Sequence, residues 1–481
     1  MYALEALFLL ITAAWLIVTN TPRAPRSTNV KLFLAGLVVV AAAFAFGQAR
    51  IHMAPAAAVF AVLSFLLLRR SYSHVVIRSL GILLGSMFVA LSVLLAFALP
   101  VVTLPPPGGP HAVGVTSFTL VDDSRDDALF GAPGRAREIY VQVWYPAESP
   151  KDGSMPRPRS LWQELHRPPV LDVLFGYLGG MKTHSYPGLA PSPERERYPA
   201  IVFSPSAGGI AEQNTLLMEH LASHGYIAFG VTHPHFGAFT TYADGSGVPI
   251  HGKVTQATSQ QGAVDLDEIM ARAERGASPL ERARVRLEYF DRGTLLNDFM
   301  DIWVRDLELL LDAITMPDAR SRLPAAVAGR VDTSRVGFLG MSYGGGAVTA
   351  LCKRDARCRA AVNLDGGLWG SRMRQPLTVP YLVVASPGNA DFFEHDLLTS
   401  EAPYYAITVE GAAHTNFMDV SLFAPVLQWL GVTGPIEGER VIEIMNVLTQ
   451  RFFDAYLRGT AAPDLPPPEF PELSTRSNVT P

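Results

Sequence analysis

The sequence predicts an α/β fold with a doubly wound, mostly parallel β-sheet, preceded by an N-terminal bundle of four transmembrane helices. Two observations carry this prediction: apolar segments fill the first 104 residues, and short apolar runs alternate with helical patterns from about residue 113 onward. The chain has 481 residues, 49% hydrophobic and 17% charged, and is more apolar than an ordinary soluble enzyme. Its net charge of −5, without basic runs interleaved with aromatic residues, argues against nucleic acid as a partner.

The four apolar segments have the character of membrane anchors. They are Tyr2–Val18, Leu32–Gly47, Met53–Leu68 and Val76–Leu104. The first three would form helices of roughly 25 Å, slightly short for a hydrocarbon core of about 30 Å, and the fourth is ample. The middle of each segment lacks charged residues, which favours an anchor over a transport pathway. Glu5 stands where a signal peptide has basic residues, so we expect no cleavage.

Basic residues between the segments predict their orientation. The first and third connections carry Arg23, Arg26, Lys31, Arg69, Arg70 and Arg78, whereas the second has only Arg50 and His52. Because cytoplasmic connections carry the excess of Lys and Arg, we expect a multi-pass membrane protein whose chain after Leu104 lies outside the cytoplasm. Arg outnumbers Lys 34 to 5, which is typical of a GC-rich bacterial genome. The membrane would then be a bacterial inner membrane, with the C-terminal domain at its periplasmic or outer face.

Composition divides the rest of the chain into a linker, a domain and a tail. Residues 105–112 contain the run PPPGGP, which is typical of a linker. The domain extends over residues 113–460, and residues 461–481 form a Pro-rich tail. Residues 254–316 are a charged, helix-favouring insert. We expect its second half to pack on the sheet and its first half to cap a site at the carboxyl ends of the strands.

The strands of the domain are predicted from its β-rich runs. The candidate strands are Gly114–Val121, Glu138–Tyr145, Ala200–Ser204, Ile227–Thr232, Val336–Leu339, Ala360–Leu364, Tyr381–Ala385 and Tyr405–Val409. The later runs are continuously apolar, which suits parallel strands buried on both faces. The first two alternate more, as antiparallel edge strands do. Helical stretches between the runs predict right-handed crossovers.

The strongest chemical motif follows the strand VGFLG. Gly340-Met341-Ser342-Tyr343-Gly344 has the G-x-S-x-G pattern of the nucleophile elbow of the α/β-hydrolase fold. In that turn the small residues at −2 and +2 prevent clashes between strand and helix, and the serine hydroxyl projects at a helix N-terminus that favours negative charge. A glycine-rich turn with an exposed serine is the alternative. The strand before the motif and the helical pattern after it favour a nucleophile.

A serine nucleophile needs a histidine base and an acid that orients it. In this fold the chain order is serine, acid, histidine, and only His395 and His414 follow Ser342. His414 comes directly after the last predicted strand, whereas His395 lies in the polar stretch DFFEHD, which we interpret as a solvated loop. Position alone leaves the acid open between Asp365, at the end of AAVNLD, and Asp391, after the following strand.

Several motifs together resemble one family. Between Glu138 and Phe417 the chain contains VWYPA, IVFSPSAGG, LASHGYIAFGVTH, GMSYGG, AAVNLDG and AAHTNF. These runs resemble the plasma-type platelet-activating-factor acetylhydrolase family and its bacterial membrane-anchored esterase relatives. That family takes its acid from the strand immediately after the nucleophile, so the resemblance implies Asp365 as the acid of Ser342 and His414.

The resemblance also bears on the oxyanion hole. The loop after the third strand usually reads S-H-G-x-G in that family, whereas residues 204–208 here read SPSAG. The donor in this loop is a backbone N–H, and Pro205 has none. We therefore assign the oxyanion hole to the N–H groups of Ala207 and Tyr343. We expect the altered loop to affect substrate selectivity more than the catalytic steps.

The cysteines and remaining histidines complete the candidate residues. Cys352 and Cys358 are the only cysteines, and two thiols this close in an extracytoplasmic domain are expected to form a disulfide. His233 and His235 lack a carboxylate at metal-ligand spacing. We interpret them as lining of the pocket, and we expect neither a metal nor a cofactor.

The functional prediction is a carboxylic ester hydrolase that acts through a Ser-His-Asp triad and an acyl-enzyme. The resemblance implies short-acyl or lipid-derived esters, including phospholipid-like substrates, with the bilayer as a second partner. One alternative is another acyl transfer on the same triad, by a peptidase or an acyltransferase. A second is a non-catalytic membrane receptor or scaffold that uses the hydrolase fold for binding.

Overall fold

The computed structural model describes residues 3–19, 21, 25–45, 53–69, 75–150, 153–163 and 176–479. The chain forms two compact units. The larger comprises Leu104–Glu164, Thr183–Leu422 and Leu427–Pro481, and the smaller comprises Met1–Thr103, Leu165–Lys182 and Phe423–Val426. Every residue that the sequence singles out for chemistry belongs to the larger unit.

The larger unit is built on a β-sheet. Numbered along the chain, its strands are β1 (Ala112–Asp127), β2 (Ala132–Ala147), β3 (Ser185–Pro187), β4 (Tyr198–Ser204), β5 (Ile227–Thr232), β6 (Phe239–Thr241), β7 (Gly247–Pro249), β8 (Val331–Met341), β9 (Cys358–Leu364), β10 (Tyr381–Ala385), β11 (Tyr404–Val409) and β12 (Leu473–Ser477). Strands β6 and β7 form a separate hairpin, and the others form one ten-stranded sheet in the order β12-β11-β10-β9-β8-β4-β5-β2-β1-β3.

The middle of this sheet is parallel. Strands β5, β4, β8, β9, β10 and β11 pair in parallel, whereas β2 joins β5, β1 joins β2 and β12 joins β11 antiparallel. Every residue of β4, β5 and β10 is buried, as expected for strands with both faces covered. The predicted α/β fold with a mostly parallel sheet is confirmed, and each of the eight predicted strands is present. Strand β12 was not predicted, because it lies in the Pro-rich segment after residue 460.

Helices flank the sheet and form the insert. After residue 104 they are α5 (Thr215–Ser223), α6 (Gly252–Gly262), α7 (Leu266–Ala273), α8 (Pro279–Arg286), α9 (Glu288–Asp291), α10 (Thr294–Thr315), α11 (Ala325–Ala328), α12 (Tyr343–Cys352), α13 (Glu394–Thr399), α14 (Val420–Phe423), α15 (Val426–Trp429) and α16 (Gly438–Arg458). Helix α10 buries Trp303, Leu307, Leu310 and Ile314 at helical spacing, so the second half of the insert packs into the core.

The N-terminal segments form helices that pack on one another. They are α1 (Ala3–Thr19), α2 (Arg26–Ala45), α3 (Ala54–Arg69) and α4 (Val75–Ala98). Aromatic rings fill their centre: the centroids of Trp15 and Phe60 are 4.9 Å apart, and those of Phe8 and Phe60 are 5.4 Å apart.

The predicted transmembrane bundle is wrong. Within the part of the chain that the structure describes, none of the helices combines the length and the apolar character that a bilayer crossing requires. Helices α1 and α3 have 17 and 16 residues, or about 26 and 24 Å against a hydrocarbon core of about 30 Å. Helix α2 begins with the polar run RSTNVK.

The predicted location is wrong with it. The multi-pass topology, the extracytoplasmic placement and the bilayer as a partner all assumed that these helices cross a membrane. Several residues of the charge argument, among them Arg23, Arg50, His52 and Arg70, lie outside the described residues. The disulfide expectation also used that placement as a premise, and now depends on the geometry of the two cysteines.

Candidate active site

The candidate nucleophile lies at the turn between β8 and α12. Ser342 has φ 57° and ψ −122°, a conformation that costs a residue with a Cβ free energy and that packing must enforce. The packing is visible at the neighbouring glycines. A Cβ at Gly340 would overlap the backbone of Gly344, and a Cβ at Gly344 would overlap the carbonyl oxygens of Ser204 and Pro205. Only glycine therefore allows strand, helix and the loop after β4 to meet here.

Two further glycines extend this close approach along the first turn of α12. A Cβ at Gly345 would overlap the side-chain oxygen of Asn363, and a Cβ at Gly346 would overlap the carbonyl oxygen of Gly367. The helix therefore touches both the loop after β4 and the loop after β9 through its backbone.

Ser342, His414 and Asp365 form a continuous hydrogen-bonded chain. The Oγ atom of Ser342 lies 2.8 Å from Nε2 of His414, and Nδ1 of His414 lies 2.8 Å from Oδ2 of Asp365. The Asp365 side chain is fully buried, whereas that of His414 is 44% exposed. The structure thus brings together the three residues that the sequence proposed as nucleophile, base and acid.

The Asp365 carboxylate is held by residues that the sequence did not single out. Its Oδ1 accepts from the Ser386 N–H at 2.8 Å, and its Oδ2 accepts from Nδ2 of Asn389 at 2.8 Å. The Ser386 hydroxyl lies 3.1 and 3.0 Å from the two carboxylate oxygens. These donors leave Oδ2 oriented towards His414. They follow β10, so the strand after the acid supplies its support, a pairing that no local motif encodes.

The two rejected alternatives lie elsewhere. Asp391 is 52% exposed and pairs with Arg476 at 3.4 Å. His395 is buried on α13, with its Nδ1 atom 3.4 Å from Asp396, which accepts a hydrogen bond from Lys353 at 2.8 Å. The solvated loop predicted around His395 is therefore wrong, because the Asp396–Lys353 ion pair allows this polar stretch to be buried.

The assigned oxyanion donors border the same cavity as Ser342. Ala207 and Tyr343 line it together with Ser342, Asp365 and His414. Tyr343 is the first residue of α12, where the backbone N–H lacks an intrahelical acceptor. Within the hydrogen bonds of the described residues, the N–H groups of Ala207 and Tyr343 have no protein acceptor. Both are thus available to a substrate oxygen.

The cavity above Ser342 measures about 400 Å³. Part of its lining is aromatic, and we call this part the aromatic wall: Tyr289, Phe290, Trp369, Phe392 and Phe393. The Phe290 ring centroid lies 5.0 Å from that of Trp369 and 4.9 Å from that of Phe392, with the rings edge to face.

The insert holds the aromatic wall in place. Nε1 of Trp369 donates to Gln261 of α6 at 3.1 Å, and the Gln261 amide donates to the carbonyl oxygen of Tyr289 at 2.8 Å. Trp369 lies four residues beyond Asp365 on the loop after β9. The first half of the insert therefore borders the cavity, and Gln261 fixes one of its walls. No local motif predicts this contact, because it joins residues 108 positions apart.

The remaining candidates are a cysteine pair and two histidines. Cys352 and Cys358 are joined by a disulfide, with Cα atoms 5.3 Å apart. His233 and His235 are buried beside carboxylates: Nδ1 of His233 lies 2.8 Å from Asp306, and Nε2 of His235 lies 3.2 Å from Asp127. Neither borders the cavity above Ser342. The described residues contain no group of three or more His, Cys, Asp and Glu arranged to hold a metal ion.

The Asp306 carboxylate is the centre of a buried ionic cluster. The Arg137 guanidinium donates to both of its oxygens at 2.7 Å, and Arg125 lies 3.0 Å from it. Burial opposes ionisation, but the charge of Arg137 and the hydrogen bonds from Arg137 and His233 outweigh it and hold the pKa of Asp306 below its usual value. Burial also lowers the pKa of His233, against the opposing effect of Asp306.

Comparison with known proteins gives one consistent result. The sequence model of the family described as "Platelet-activating factor acetylhydrolase, isoform II" matches residues 319–460. A platelet-activating factor acetylhydrolase of Cavia porcellus is 23% identical over 369 residues, which cover 74% of this chain and 78% of the relative. The Bos taurus protein of the same name is 24% identical over 275 residues, covering 54% and 58%.

A solved structure supports the fold. The ferulic acid esterase from Streptomyces cinnamoneus superimposes with a TM-score of 0.58 at 22% identity, covering 78% of this chain and 99% of that one. At this identity the likeness concerns the fold alone. The matching family model and the curated relatives identify the chain as a carboxylic ester hydrolase that is similar to the platelet-activating factor acetylhydrolases.

Proposed function

We propose that Ser342, His414 and Asp365 are the catalytic triad of this ester hydrolase. Nε2 of His414 accepts the proton of Ser342 as its Oγ attacks the ester carbonyl carbon. Asp365 holds the imidazole tautomer and stabilises the imidazolium. The N–H groups of Ala207 and Tyr343 donate to the oxyanion. The tetrahedral intermediate expels the alcohol, which takes the proton from His414, and water then releases the acid from the acyl-enzyme by the same steps.

One observation carries this proposal: the two 2.8 Å contacts that join serine, histidine and buried aspartate. A hydroxyl that donates to an imidazole is activated only if the opposite ring nitrogen is protonated and held, and Asp365 supplies that acceptor. Ser342 lines the cavity, so the carbonyl carbon of a bound ester can approach its hydroxyl.

The proposed substrates are short-acyl or lipid-derived esters. The curated relatives carry the name platelet-activating factor acetylhydrolase, and the aromatic wall lines the cavity beside Ser342. Because Trp369 is hydrogen-bonded to the insert and packed on Phe290, a long acyl chain would have to displace a fixed ring. We therefore infer that acetyl and other short acyl groups react faster than long ones.

A second substrate class is favoured by the composition of the same wall. Offset and edge-to-face contacts with aromatic rings stabilise a planar aromatic group, and here the five members of the aromatic wall and Tyr343 line the cavity. An ester of an aromatic acid is therefore the competing candidate. The name of the Streptomyces enzyme states that class for that protein.

The catalytic proposal is tested by labelling with a fluorophosphonate probe. We expect the parent protein to be labelled at Ser342 and the Ser342→Ala variant to remain unlabelled and without esterase activity. Ser334→Ala is the matched control, since Ser334 is an exposed serine near the other end of β8. A parent protein that is not labelled would support the alternative of a non-catalytic scaffold, and labelling of Ser342→Ala would move the nucleophile elsewhere.

The substrate proposal is tested with a panel of esters that share one alcohol. Acetyl, butyryl, octanoyl, palmitoyl and feruloyl esters separate the candidates by kcat/KM. A value that falls from acetyl to palmitoyl supports short-acyl preference. A maximum at the feruloyl ester would favour the aromatic class, and a value that rises through palmitoyl would contradict both.

A further inference from the structure

The core of the larger unit contains a second Ser-His-Asp arrangement. Oγ of Ser204 lies 3.1 Å from Nε2 of His233, and Nδ1 of His233 lies 2.8 Å from Oδ2 of Asp306. Its connectivity repeats that of Ser342, His414 and Asp365. The side chains of His233 and Asp306 have no solvent exposure, and Ser204 is fully buried. A substrate carbonyl cannot reach this serine, so any effect of the arrangement on the reaction has to pass through its neighbours.

Ser204 begins the loop that carries an oxyanion donor. Ala207 follows it by three residues, and the carbonyl oxygen of Ser204 occupies the space that a Cβ of Gly344 would need. The Ser204 backbone therefore lies against the first turn of the nucleophile helix α12. A shift of Ser204 would move the Ala207 N–H relative to Ser342 Oγ.

The segment that follows His233 is hydrogen-bonded to Gly208, at the other end of the loop that begins at Ser204. The N–H of Gly208 donates to the carbonyl oxygen of Phe236 at 2.8 Å, and the N–H of Ala238 donates to the carbonyl oxygen of Gly208 at 3.0 Å. The N–H groups of Phe236 and Gly237 both donate back to the carbonyl oxygen of His233, at 3.1 and 3.0 Å. His233 thus anchors the loop through its side chain at Ser204 and through its own turn at Gly208.

Helix α10 also contacts Tyr343, which carries the second oxyanion donor. The His233 ring stacks on Trp303 with centroids 3.8 Å apart, and Trp303 packs edge to face on Tyr343 at 4.9 Å. The Tyr343 hydroxyl donates to the carbonyl oxygen of Leu296 at the start of the same helix. Asp306 and Trp303 belong to α10, so one helix supports both Ala207 and Tyr343.

The ionic cluster around Asp306 determines which nitrogen of His233 carries the proton. Asp306 is held in a bidentate pair by Arg137, which also donates to Asp127 at 2.8 Å. With Asp306 ionised, Nδ1 of His233 carries the proton and Nε2 is left as an acceptor for the Ser204 hydroxyl. The tautomer of His233 is therefore set in the same way as that of a triad histidine.

We propose that Ser204, His233 and Asp306 are positioning residues that place the two oxyanion donors for the transition state. This role rests on the proposed function of Ser342 and its oxyanion hole. Because the donors act on charge that develops in the transition state, a displaced donor lowers kcat and leaves KM nearly unchanged. Displacements of about 1 Å cost up to about 100-fold in rate, and loss of one donor costs about 100- to 1000-fold.

The test removes only the hydroxyl of Ser204. We expect Ser204→Ala to lower kcat by about tenfold or more at nearly constant KM. Its affinity for a trifluoromethyl ketone, whose adduct with Ser342 carries the same oxyanion, should fall by a similar factor. His233→Gln, which breaks the same contact from the other side, should lower kcat as well. The double variant should be little worse than His233→Gln alone, because both changes remove one interaction.

Ser223→Ala is the matched control. Ser223 is also a fully buried serine, whose hydroxyl donates to the carbonyl oxygen of His220 at 2.8 Å on α5. We expect it to lower Tm and leave kcat unchanged. If Ser204→Ala behaves like this control, with parental kcat and inhibitor affinity, the positioning role is wrong. Fluorophosphonate labelling separates this result from failure of the proposed function, since a correct function requires labelled Ser342 in the parent and in Ser204→Ala.

Discussion

Nδ1 of His414 lies 2.8 Å from Oδ2 of Asp365, although 49 positions separate the two residues along the chain. The contact is made by an exposed imidazole and a fully buried carboxylate. Asp365 itself has φ 54°, a left-handed conformation that is uncommon for a residue with a Cβ. The turn that aims its carboxylate at His414 is thus maintained by the surrounding packing and by the donors from Ser386 and Asn389.

The first prediction concerns the acid. We expect Asp365→Asn to lower kcat at least 100-fold, because an amide cannot hold the His414 tautomer or stabilise the imidazolium. Asp391→Asn is the matched control and should stay within a few-fold of the parent, since Asp391 is 52% exposed and pairs only with arginines among the described residues. Steady-state kinetics on an acetyl ester, with circular dichroism to verify folding, measure both. The reverse ranking would assign the acid to Asp391.

The second prediction concerns the aromatic wall. Trp369→Ala removes the ring that Gln261 fixes and should deepen the cavity, so that kcat/KM for an octanoyl ester rises relative to an acetyl ester by about tenfold. Each methylene group that becomes buried contributes about 0.8 kcal/mol. Trp429→Ala, at a 59% exposed tryptophan, should leave the ratio unchanged. An unchanged ratio in Trp369→Ala would show that the acyl chain lies elsewhere.

The third prediction concerns stability against pH. Burial raises the pKa of Glu219 from 4.5 to about 7, so the folded state keeps a proton that the unfolded state has lost between these values. The free energy of unfolding therefore falls as pH rises through this window. Glu219→Gln mimics the protonated form and should remove that fall.

The measurement is the difference between variant and parent in urea unfolding from pH 4 to pH 8. The parent alone is not informative, because burial also lowers the pKa of His220 to about 4, and this histidine makes the free energy of unfolding rise between about pH 4 and 6.5. The stabilising effect of Glu219→Gln should be small at pH 4 and largest above pH 7. The exposed Glu196 provides the control, Glu196→Gln. A difference that does not change with pH would mean that Glu219 ionises normally.

The fourth prediction concerns the disulfide. Cys352 and Cys358 close a loop of six positions, and the chain-entropy estimate for so short a loop is about 2 kcal/mol. We expect the double variant Cys352→Ala/Cys358→Ala to lose about this much free energy of unfolding and to retain kcat. Mass mapping under non-reducing conditions should find the two residues linked. Free thiols in the protein from its native source would contradict the disulfide.

Much of the fold and the candidate nucleophile and base could be predicted because their signals are local, whereas Asp365 was implied by the family resemblance and not by its position. The apolar runs of β4, β5 and β10 and the turn around Ser342 are each encoded within about ten residues. The supporting contacts were missed because they join distant positions: Asp306 with His233 across 73 residues, and Trp369 with Gln261 across 108. His395 was misplaced for the same reason, since its burial depends on the Asp396–Lys353 pair.

In the N-terminal segments a local signal was present, but it led to a wrong prediction. Their hydropathy is a local signal, but it is shared by membrane helices and by helices that bury aromatic residues such as Trp15 and Phe60 against one another. Length and apolar character together decide between the two, and none of the helices in the described part of the chain combines them as a crossing requires.

The consecutive glycines at 344–346 bear on how the protein acquires activity. Each glycine weakens an isolated helix by about 1 kcal/mol relative to alanine, so the first turn of α12 has little intrinsic tendency to form. It is completed by backbone contacts with the loops after β4 and β9, and we expect these loops to become ordered only when those strands have paired. The nucleophile turn therefore cannot form before the central strands of the sheet have paired. A partly folded chain, even one with much of its helix content, should hydrolyse nothing, and regain of activity should be among the last events of refolding.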